Sequence, residues 1–273
     1  ARRGGTEDGG TWAALAKPAR RLKPGARLAC ERDPAATAVV IGRGGDDGVL
    51  LVRIFPGREP EAFFEECGEV PLPPYVSEPL GDPDRYQTVY AAVTGSTAAP
   101  TAGMHFTAAL MERIKERGCG FARVTLHVGP ATFRPIRSAA VEDHPMHTEW
   151  YSVPLETARA LVGARREGRR IAAVGTTVVR ALETWAAALD PDGGAALGAL
   201  EPRPARGWTN LYITGGFRFR AVDALLTNFH LPRSTLLVLV SSFCGRETLL
   251  NAYQEAIRAE YRFYSFGDAM LIL

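Results

Sequence analysis

The sequence predicts an α/β protein with a mixed sheet, joined to a small all-β, barrel-like domain. Residues 1 to about 70 carry short apolar, β-branched runs separated by Gly, Pro and Asp, the pattern of strands and tight turns. From Ser96 onward, short apolar runs alternate with segments of helical period, the pattern of α/β layers. Between them Val70-Pro71-Leu72-Pro73-Pro74-Tyr75 reads as extended chain by its proline content. The domain boundary is placed there, dividing residues 1–70 from 71–273.

Bulk composition narrows the class. A chain of 273 residues has room for one or two domains, and 46% apolar with 23% charged residues is ordinary for a soluble globular protein. The longest apolar runs, such as residues 236–240, are too short to cross a bilayer, so no membrane partner is expected. The N-terminus, Ala-Arg-Arg-Gly-Gly, has no apolar signal core and no starting Met, which reads as a processed, truncated or partial product. Cys30, Cys67, Cys119 and Cys244 form no Cys-x-x-Cys pair, which argues against a zinc ribbon and a disulfide framework. Reduced thiols in a cytoplasmic protein follow. A net charge of +2 neither demands nor excludes a nucleic acid partner.

Taken in order, residues 12–16, 38–41 and 49–55 read as strands, the last two as a hairpin about the Gly/Asp cluster 42–48. The basic loop 17–27 is a surface loop with the charge to touch phosphates. Residues 60–67 read as a helix with Pro60 in its first turn and Gly68 ending it. Residues 85–93 are expected to be helical. A short strand from Ser96 enters a rigid loop in which Pro100 fixes φ and Gly103 is conformationally free. Thr107 is the N-cap of a helix over 108–117, whose apolar stripe is Leu110, Met111 and Ile114. Residues 121–128 alternate as a strand that Gly129-Pro130 breaks. A helix over 155–168 and a buried strand over 171–174 follow, then Gly175-Thr176-Thr177 and a helix over 178–189. Residues 190–207 read as a loop, and 211–213 and 222–226 as strands. Ser234 caps a helix reaching Phe243, 247–260 is another helix, and 269–273 a last strand.

All five histidines, His105, His127, His144, His147 and His230, fall in the α/β region at element ends or in loops. Ligands gather at the carboxyl ends of strands in such sheets. The segments there are Pro100-Thr101-Ala102-Gly103 with His105 and Phe106, His127-Val128-Gly129-Pro130-Ala131-Thr132-Phe133, and Gly175-Thr176-Thr177 with Arg180. The Gly175 turn has the groups of an anion site, but by itself it reads better as a simple helix cap; it fits neither nucleotide-binding glycine loop. In His144-Pro145-Met146-His147-Thr148-Glu149, Pro145 disfavours a shared helical face and no cysteine completes a metal site, so no metal is expected. An acid/base pair of His147 and Glu149, two apart on extended chain, is the better reading. Asn228 and His230 share a face if their segment is extended, with Asp223 upstream; a ligand contact and a buried, satisfied histidine compete here.

Six motifs occur in one order: Pro-Thr-Ala-Gly-Met-His-Phe (100–106), His-Val-Gly-x-x-Thr-Phe (127–133), Met-His-Thr-Glu (146–149), Val-Gly-Thr-Thr-Val-Val-Arg (174–180), Val-Asp-Ala-Leu-Leu-Thr-Asn-Phe-His-Leu-Pro (222–232) and Tyr-Arg-Phe-Tyr-Ser-Phe-Gly-Asp-Ala-Met (261–270). Together they resemble the QueA family, the S-adenosylmethionine:tRNA ribosyltransferase-isomerases of queuosine biosynthesis. The resemblance is close over about residues 68–273 and looser before, mainly at Lys23-Pro24-Gly25-Ala26.

It implies transfer and isomerisation of the ribosyl group of S-adenosylmethionine onto 7-aminomethyl-7-deazaguanine at the tRNA wobble position. Epoxyqueuosine-tRNA, adenine and methionine are the products, and the donor is consumed without a metal. The competing implications are a relative with another acceptor and a tRNA-binding remnant. A monomer is favoured. The implied catalytic residues are His105, His127, His147, Glu149 and His230. The implied substrate contacts are Thr101, Gly103, Phe106, Gly129, Thr132, Phe133, Gly175, Thr176, Thr177, Arg180, Asp223, Asn228, Arg262 and Asp268. Arg165, Arg166, Arg169 and Arg170 read either as holders of tRNA phosphate or as a solvated helix end.

The chain departs from the family at Pro130-Ala131, where the family usually has Ala-Gly, and at Gly215-Gly216, where it has Pro-Gly. The family also has a further N-terminal segment with an Asn-Asn-Thr-Arg stretch, and its β-rich domain is inserted in the larger one. On that comparison the chain begins inside the small domain and lacks part of the large domain's sheet.

Overall fold

The computed structural model describes residues 2–3, 10–44, 48–73, 75–76, 78, 80–129, 132 and 135–273. The chain divides into two compact units, Ala1–Glu69 and Val70–Leu273.

The first unit is one antiparallel sheet. Its strands are β1 (Arg2–Arg3), β2 (Thr11–Leu15), β3 (Arg27–Ala29), β4 (Thr37–Arg43) and β5 (Val49–Phe55), in the order β1-β2-β5-β4-β3. The expected 38–41/49–55 hairpin is the β4–β5 pair, with a register shift between Val40 and Gly42. Val40, Leu50, Val52 and Ile54 form its buried face, with Trp12, Ala14 and Leu28 packed against them. The sheet is open: β1 and β3 are its edges and do not pair with each other among the described residues. The described strands thus form a sheet and not the closed barrel expected from sequence. Helix α1 (Pro60–Cys67) starts with its proline at a position whose N–H needs no helical partner.

The second unit holds two three-stranded sheets. One is mixed, in the order β11 (Ala269–Ile272), β10 (Ala224–Asn228), β8 (Ala172–Val174): β10 and β8 run parallel, β10 and β11 antiparallel. The other is antiparallel, in the order β6 (Thr125–His127), β7 (Glu149–Val153), β9 (Ala205–Thr209). Helices α2 (Ala108–Glu116), α3 (Leu155–Arg166), α4 (Thr176–Leu189), α5 (Thr235–Cys244) and α6 (Arg246–Arg258) complete it. Thr107 caps α2, its hydroxyl accepting from Leu110 N, and Ser234 does the same for α5 through Leu237 N. The core contains Trp185, Val162, Val179, Leu225 and Leu239, all essentially buried. Among the described residues no helix is long and apolar enough to cross a membrane.

Several elements differ from the sequence reading. Residues 85–93 form no α-helix; a short 3-10 helix over Pro83–Tyr86 is present. Val89 and Val93 are exposed, so a helix there would have no buried stripe to hold it. The strand expected over 121–128 is confined to Thr125–His127. Residues 211–213 form no strand, and β9 begins inside the stretch 190–207 that read as loop. The Leu211 backbone is engaged by side chains instead: its N–H donates to Thr209 Oγ1 and its carbonyl accepts from Arg180 Nε. Helix α4 begins two residues earlier than expected, directly at Thr176.

Two carboxylates, Glu183 buried and Asp223 half-buried, fix the start of β10. Glu183, on α4 and 2% exposed, accepts from the N–H groups of Arg220, Ala221 and Val222 at 2.8, 3.0 and 3.1 Å. Burial pushes its carboxyl up in pKa while those N–H groups pull it back. Asp223 accepts from Arg165 Nη1 at 2.6 Å and from Ile171 N at 2.7 Å, tying α3 to the sheet.

Candidate active site

The carboxyl ends of the parallel strands β8 and β10 lie side by side, and three segments meet there. The first is a 3-10 helix over Thr101–His105. Gly103 is required by close approach: a Cβ there would collide with the Tyr90 hydroxyl and lie 2.7 Å from Thr88 Cγ2. The second is the β8–α4 turn, where Gly175 takes φ 98° and its Cβ position lies 3.8 Å from Ala102 Cβ. Among the described residues no side chain caps α4, so the first N–H groups of the helix, at Thr176 and Thr177, remain available to an anion. The third is residues 262–268.

Asn228, at the end of β10 and 2% exposed, joins the first and third segments. Its Oδ1 accepts from Thr101 Oγ1 at 3.1 Å. Its Nδ2 donates to the Tyr264 carbonyl at 3.2 Å and lies 3.0 Å from His105 Nε2. The Tyr264 carbonyl is acceptor-only, so the amide nitrogen must be on that side. His105 Nε2 is therefore the acceptor, and the neutral ring carries its proton on Nδ1. Burial lowers the His105 pKa, and the Asp268 charge partly offsets this. Asp268 accepts from Arg262 N at 2.7 Å and from Arg262 Nη2 at 3.4 Å; that backbone N–H is the main reason its pKa is lowered. Tyr264 itself has a φ of 72°, uncommon for a bulky residue.

A second group lies one turn further along α4. Arg180, 3% exposed, bonds through Nη1 to Glu149 Oε2, the carboxylate being 1% exposed. The rest of the guanidinium is met by the carbonyls of Leu211 at 2.9 Å, His147 at 3.3 Å and Thr209 at 3.5 Å. Burial lowers the Arg180 pKa and Glu149 raises it. The other carboxylate oxygen of Glu149 lies 3.1 Å from His147 Nε2. An ionised carboxylate only accepts, so His147 carries its proton on Nε2 and presents the Nδ1 lone pair. The expected His147–Glu149 pair is thus formed, and Arg180 is engaged within the protein. His144 is apart, edge-on to Tyr212 with ring centroids 6.0 Å apart. Among the described residues no group of three or more His, Cys, Asp or Glu side chains could hold a metal ion.

The remaining candidates divide. His127 stacks on Trp150 at 4.8 Å, and its buried Nδ1 has no hydrogen-bond partner among the described residues. Its pair partner Trp150 lies on the outer face of β7, while Glu149 is on the buried face, so His127 and Glu149 point to opposite sides of that sheet. The chain next to His127 does lead into the site loop: Thr97 N and Ala98 N both donate to the Val128 carbonyl. Thr132 N reaches the Gly129 carbonyl at 3.4 Å, and Thr132 is buried. Phe106 packs edge-on to Phe121. Phe133 and Ala131 lie outside the described residues.

His230 does not share a face with Asn228, because β10 ends at Asn228. The His230 ring turns to Thr227 Oγ1 at 2.7 Å, the backbone N–H of His230 donates to the Tyr253 hydroxyl, and burial pushes the ring's pKa down to about 4. Asp223 is at the opposite end of β10 and is taken up by Arg165. The sequence reading missed the Tyr264 carbonyl and the Leu211 carbonyl, since a backbone acceptor leaves no mark on residue type.

A family model described as queuosine biosynthesis protein matches residues 2–272. The S-adenosylmethionine:tRNA ribosyltransferase-isomerase of Moorella thermoacetica is 49% identical over 267 residues, 98% of this chain and 75% of that protein. The protein of the same name from Rubrobacter xylanophilus is 50% identical over 269 residues, 98% of this chain and 73% of that one. The crystal structure of S-adenosylmethionine tRNA ribosyltransferase from Thermotoga maritima superposes with a TM-score of 0.51 at 38% identity, covering 100% of this chain and 73% of that one.

Proposed function

The chain belongs to the queuosine biosynthesis protein family, and from that premise we propose how its residues divide the work. Its activity is that of an S-adenosylmethionine:tRNA ribosyltransferase-isomerase in queuosine biosynthesis. The acceptor is 7-aminomethyl-7-deazaguanine at the wobble position of tRNA. Its exocyclic amine attacks the ribosyl carbon, adenine departs, and the ribosyl unit rearranges to an epoxycyclopentanediol as methionine leaves.

This chemistry needs a base for the acidic proton beside the sulfonium and for the attacking amine, and a hydrogen-bond donor at the departing adenine. The hydrogen-bond partners of the two histidines imply opposite tautomers that supply one each, and this arrangement carries the assignment. His147, held through Nε2–H by Glu149, offers Nδ1 as the base. His105, held at Nε2 by Asn228, offers Nδ1–H as a neutral donor, and its lowered pKa keeps it neutral. Asp268, anionic beside His105, complements the sulfonium charge or takes the ribose hydroxyls. The uncapped start of α4 takes the methionine carboxylate. Arg180 holds Glu149 and thereby His147, in place of the direct substrate contact expected from sequence.

The test is adenine release from S-adenosylmethionine, followed by liquid chromatography, with tRNA carrying 7-aminomethyl-7-deazaguanine, with ordinary tRNA and with none. Release is expected only with the first. His147→Ala should lower turnover by about 10²–10⁴-fold, the usual worth of a positioned base. Asn228→Ala should lower kcat and move the acid limb of the pH profile upward, because His105 loses the donor that favours its neutral form. Near-normal turnover in folded His105→Ala and His147→Ala proteins would show that the site is elsewhere.

A further inference from the structure

The antiparallel sheet of the large unit buries one face, while the other is half-buried along β6 and β7 and exposed at Arg206 and Trp208 of β9. Glu149, Tyr151 and Val153 of β7 and Thr209 of β9 point into the core. The register places His127, Trp150 and Trp208 opposite one another on the other face, one from each strand. Thr125, Ser152 and Arg206 form the next row on that face. From His127 to Trp208 the row spans two strand spacings, about 10 Å. His127 is stacked on Trp150, but Trp208, on the edge strand β9, is 68% exposed.

The surroundings of Trp208 are basic. The stretch 201–220 holds Arg203, Arg206, Arg218 and Arg220 against a single acidic residue, Glu201. Beside Trp208 lies a cleft of about 410 Å³, which Phe217, Arg218 and Arg220 also line. An aromatic row on an open sheet face, flanked by arginines, is the arrangement that stacks unpaired bases and neutralises their phosphates.

We infer that the Trp150–Trp208 face of β7 and β9, with Arg206 and Arg218, binds single-stranded nucleotides of the substrate tRNA next to the one being modified. This rests on the tRNA-modifying activity above. Position supports it: the row's inner end, His127, packs against Gly95, from which the chain passes through Ser96, Thr97 and Ala98 into the Thr101–His105 loop. Bases stacked outward along the row would leave the wobble nucleotide at that loop.

The experiment measures binding of an anticodon-arm RNA hairpin, by fluorescence anisotropy without S-adenosylmethionine, and adenine release with the full tRNA. Trp208→Ala should weaken hairpin binding by about 5- to 150-fold, the worth of one base–aromatic stack, and raise KM for tRNA while kcat at saturation holds. Trp208→Phe, which keeps a ring, should restore most of the affinity. Arg218→Ala should reduce the slope of log Kd against log salt by about 0.7–0.9. A hairpin whose loop is closed by a complementary strand should not distinguish Trp208→Ala from wild type. Wild-type affinity in Trp208→Ala, with adenine release intact, overturns the surface and leaves the enzymatic reading standing. So does burial of Trp208 in a dimer of the chain in solution. Trp208-dependent RNA binding without adenine release from any tRNA would instead sink the enzymatic reading.

Discussion

Replacing Glu149 by Leu tests the claim that Glu149 and Arg180 act as one buried unit. The carboxylate is 1% exposed and the guanidinium 3%. Removing the carboxylate leaves a cation inside the protein with only carbonyl dipoles from Leu211, His147 and Thr209 around it. Breaking such a pair from one side costs about 3–5 kcal/mol. For a unit of this size each kcal/mol moves the midpoint by about 2–4 °C, so the expected fall in Tm is about 6–20 °C. Arg180→Met should cost a similar amount from the other side. The double substitution Glu149→Leu with Arg180→Met removes both charges together and should return to within about 1 kcal/mol of wild type. Thermal and urea denaturation followed by circular dichroism measure all four proteins. The double variant should stay catalytically poor, because His147 has lost the group that fixes its tautomer. Additive single costs, or a Glu149→Leu protein as stable as wild type, would refute the reasoning.

His230 should make the fold acid-sensitive. Its pKa is about 4 folded against 6.5 for the free side chain, so between pH 6.5 and 4 the unfolded chain takes a proton that the folded chain refuses. Stability is unaffected above that window and falls through it, by about 3 kcal/mol at about 1.4 per pH unit. His230→Gln should flatten this part of the urea-midpoint profile; an unchanged profile would exclude His230 as its source. Gly103→Ala should destabilise by about 1–3 kcal/mol, as overpacking does, since its Cβ would overlap the Tyr90 hydroxyl. Tyr90→Phe should recover part of that loss in thermal denaturation, and no recovery would mean that the strain is relieved by moving the loop.

The elements with local signals were legible. Thr107 and Ser234 are written as caps and act as caps. The β4–β5 hairpin follows from two apolar runs about a Gly/Asp cluster. What failed was non-local. Strand β9 was hidden because Ala205-Arg206-Gly207 has little strand propensity; pairing with β7 across some fifty residues decides it. Residues 211–213 have strand propensity, but Arg180 and Thr209 claim the Leu211 backbone groups that a ladder would use.

The site shows the same division more sharply. Residue types announced that His105, His147 and Asn228 matter, but a histidine's role depends on which nitrogen holds the proton, and sequence does not contain that. For His147 the partner, Glu149, is two residues away, so the pairing could be read from strand geometry. For His105 the partner is 123 residues away, and that partner's orientation is set by a backbone carbonyl at Tyr264. The two rings are thereby given opposite faces, one lone pair and one N–H, by one carboxylate and one amide. Exchanging those partners, Glu149→Gln with Asn228→Asp, preserves size, costs stability by removing the charge paired with Arg180, and gives His105 an anionic neighbour at Nε2. It should then hold its proton there and lose the outward N–H. The geometry predicts a folded protein that binds S-adenosylmethionine and does not release adenine.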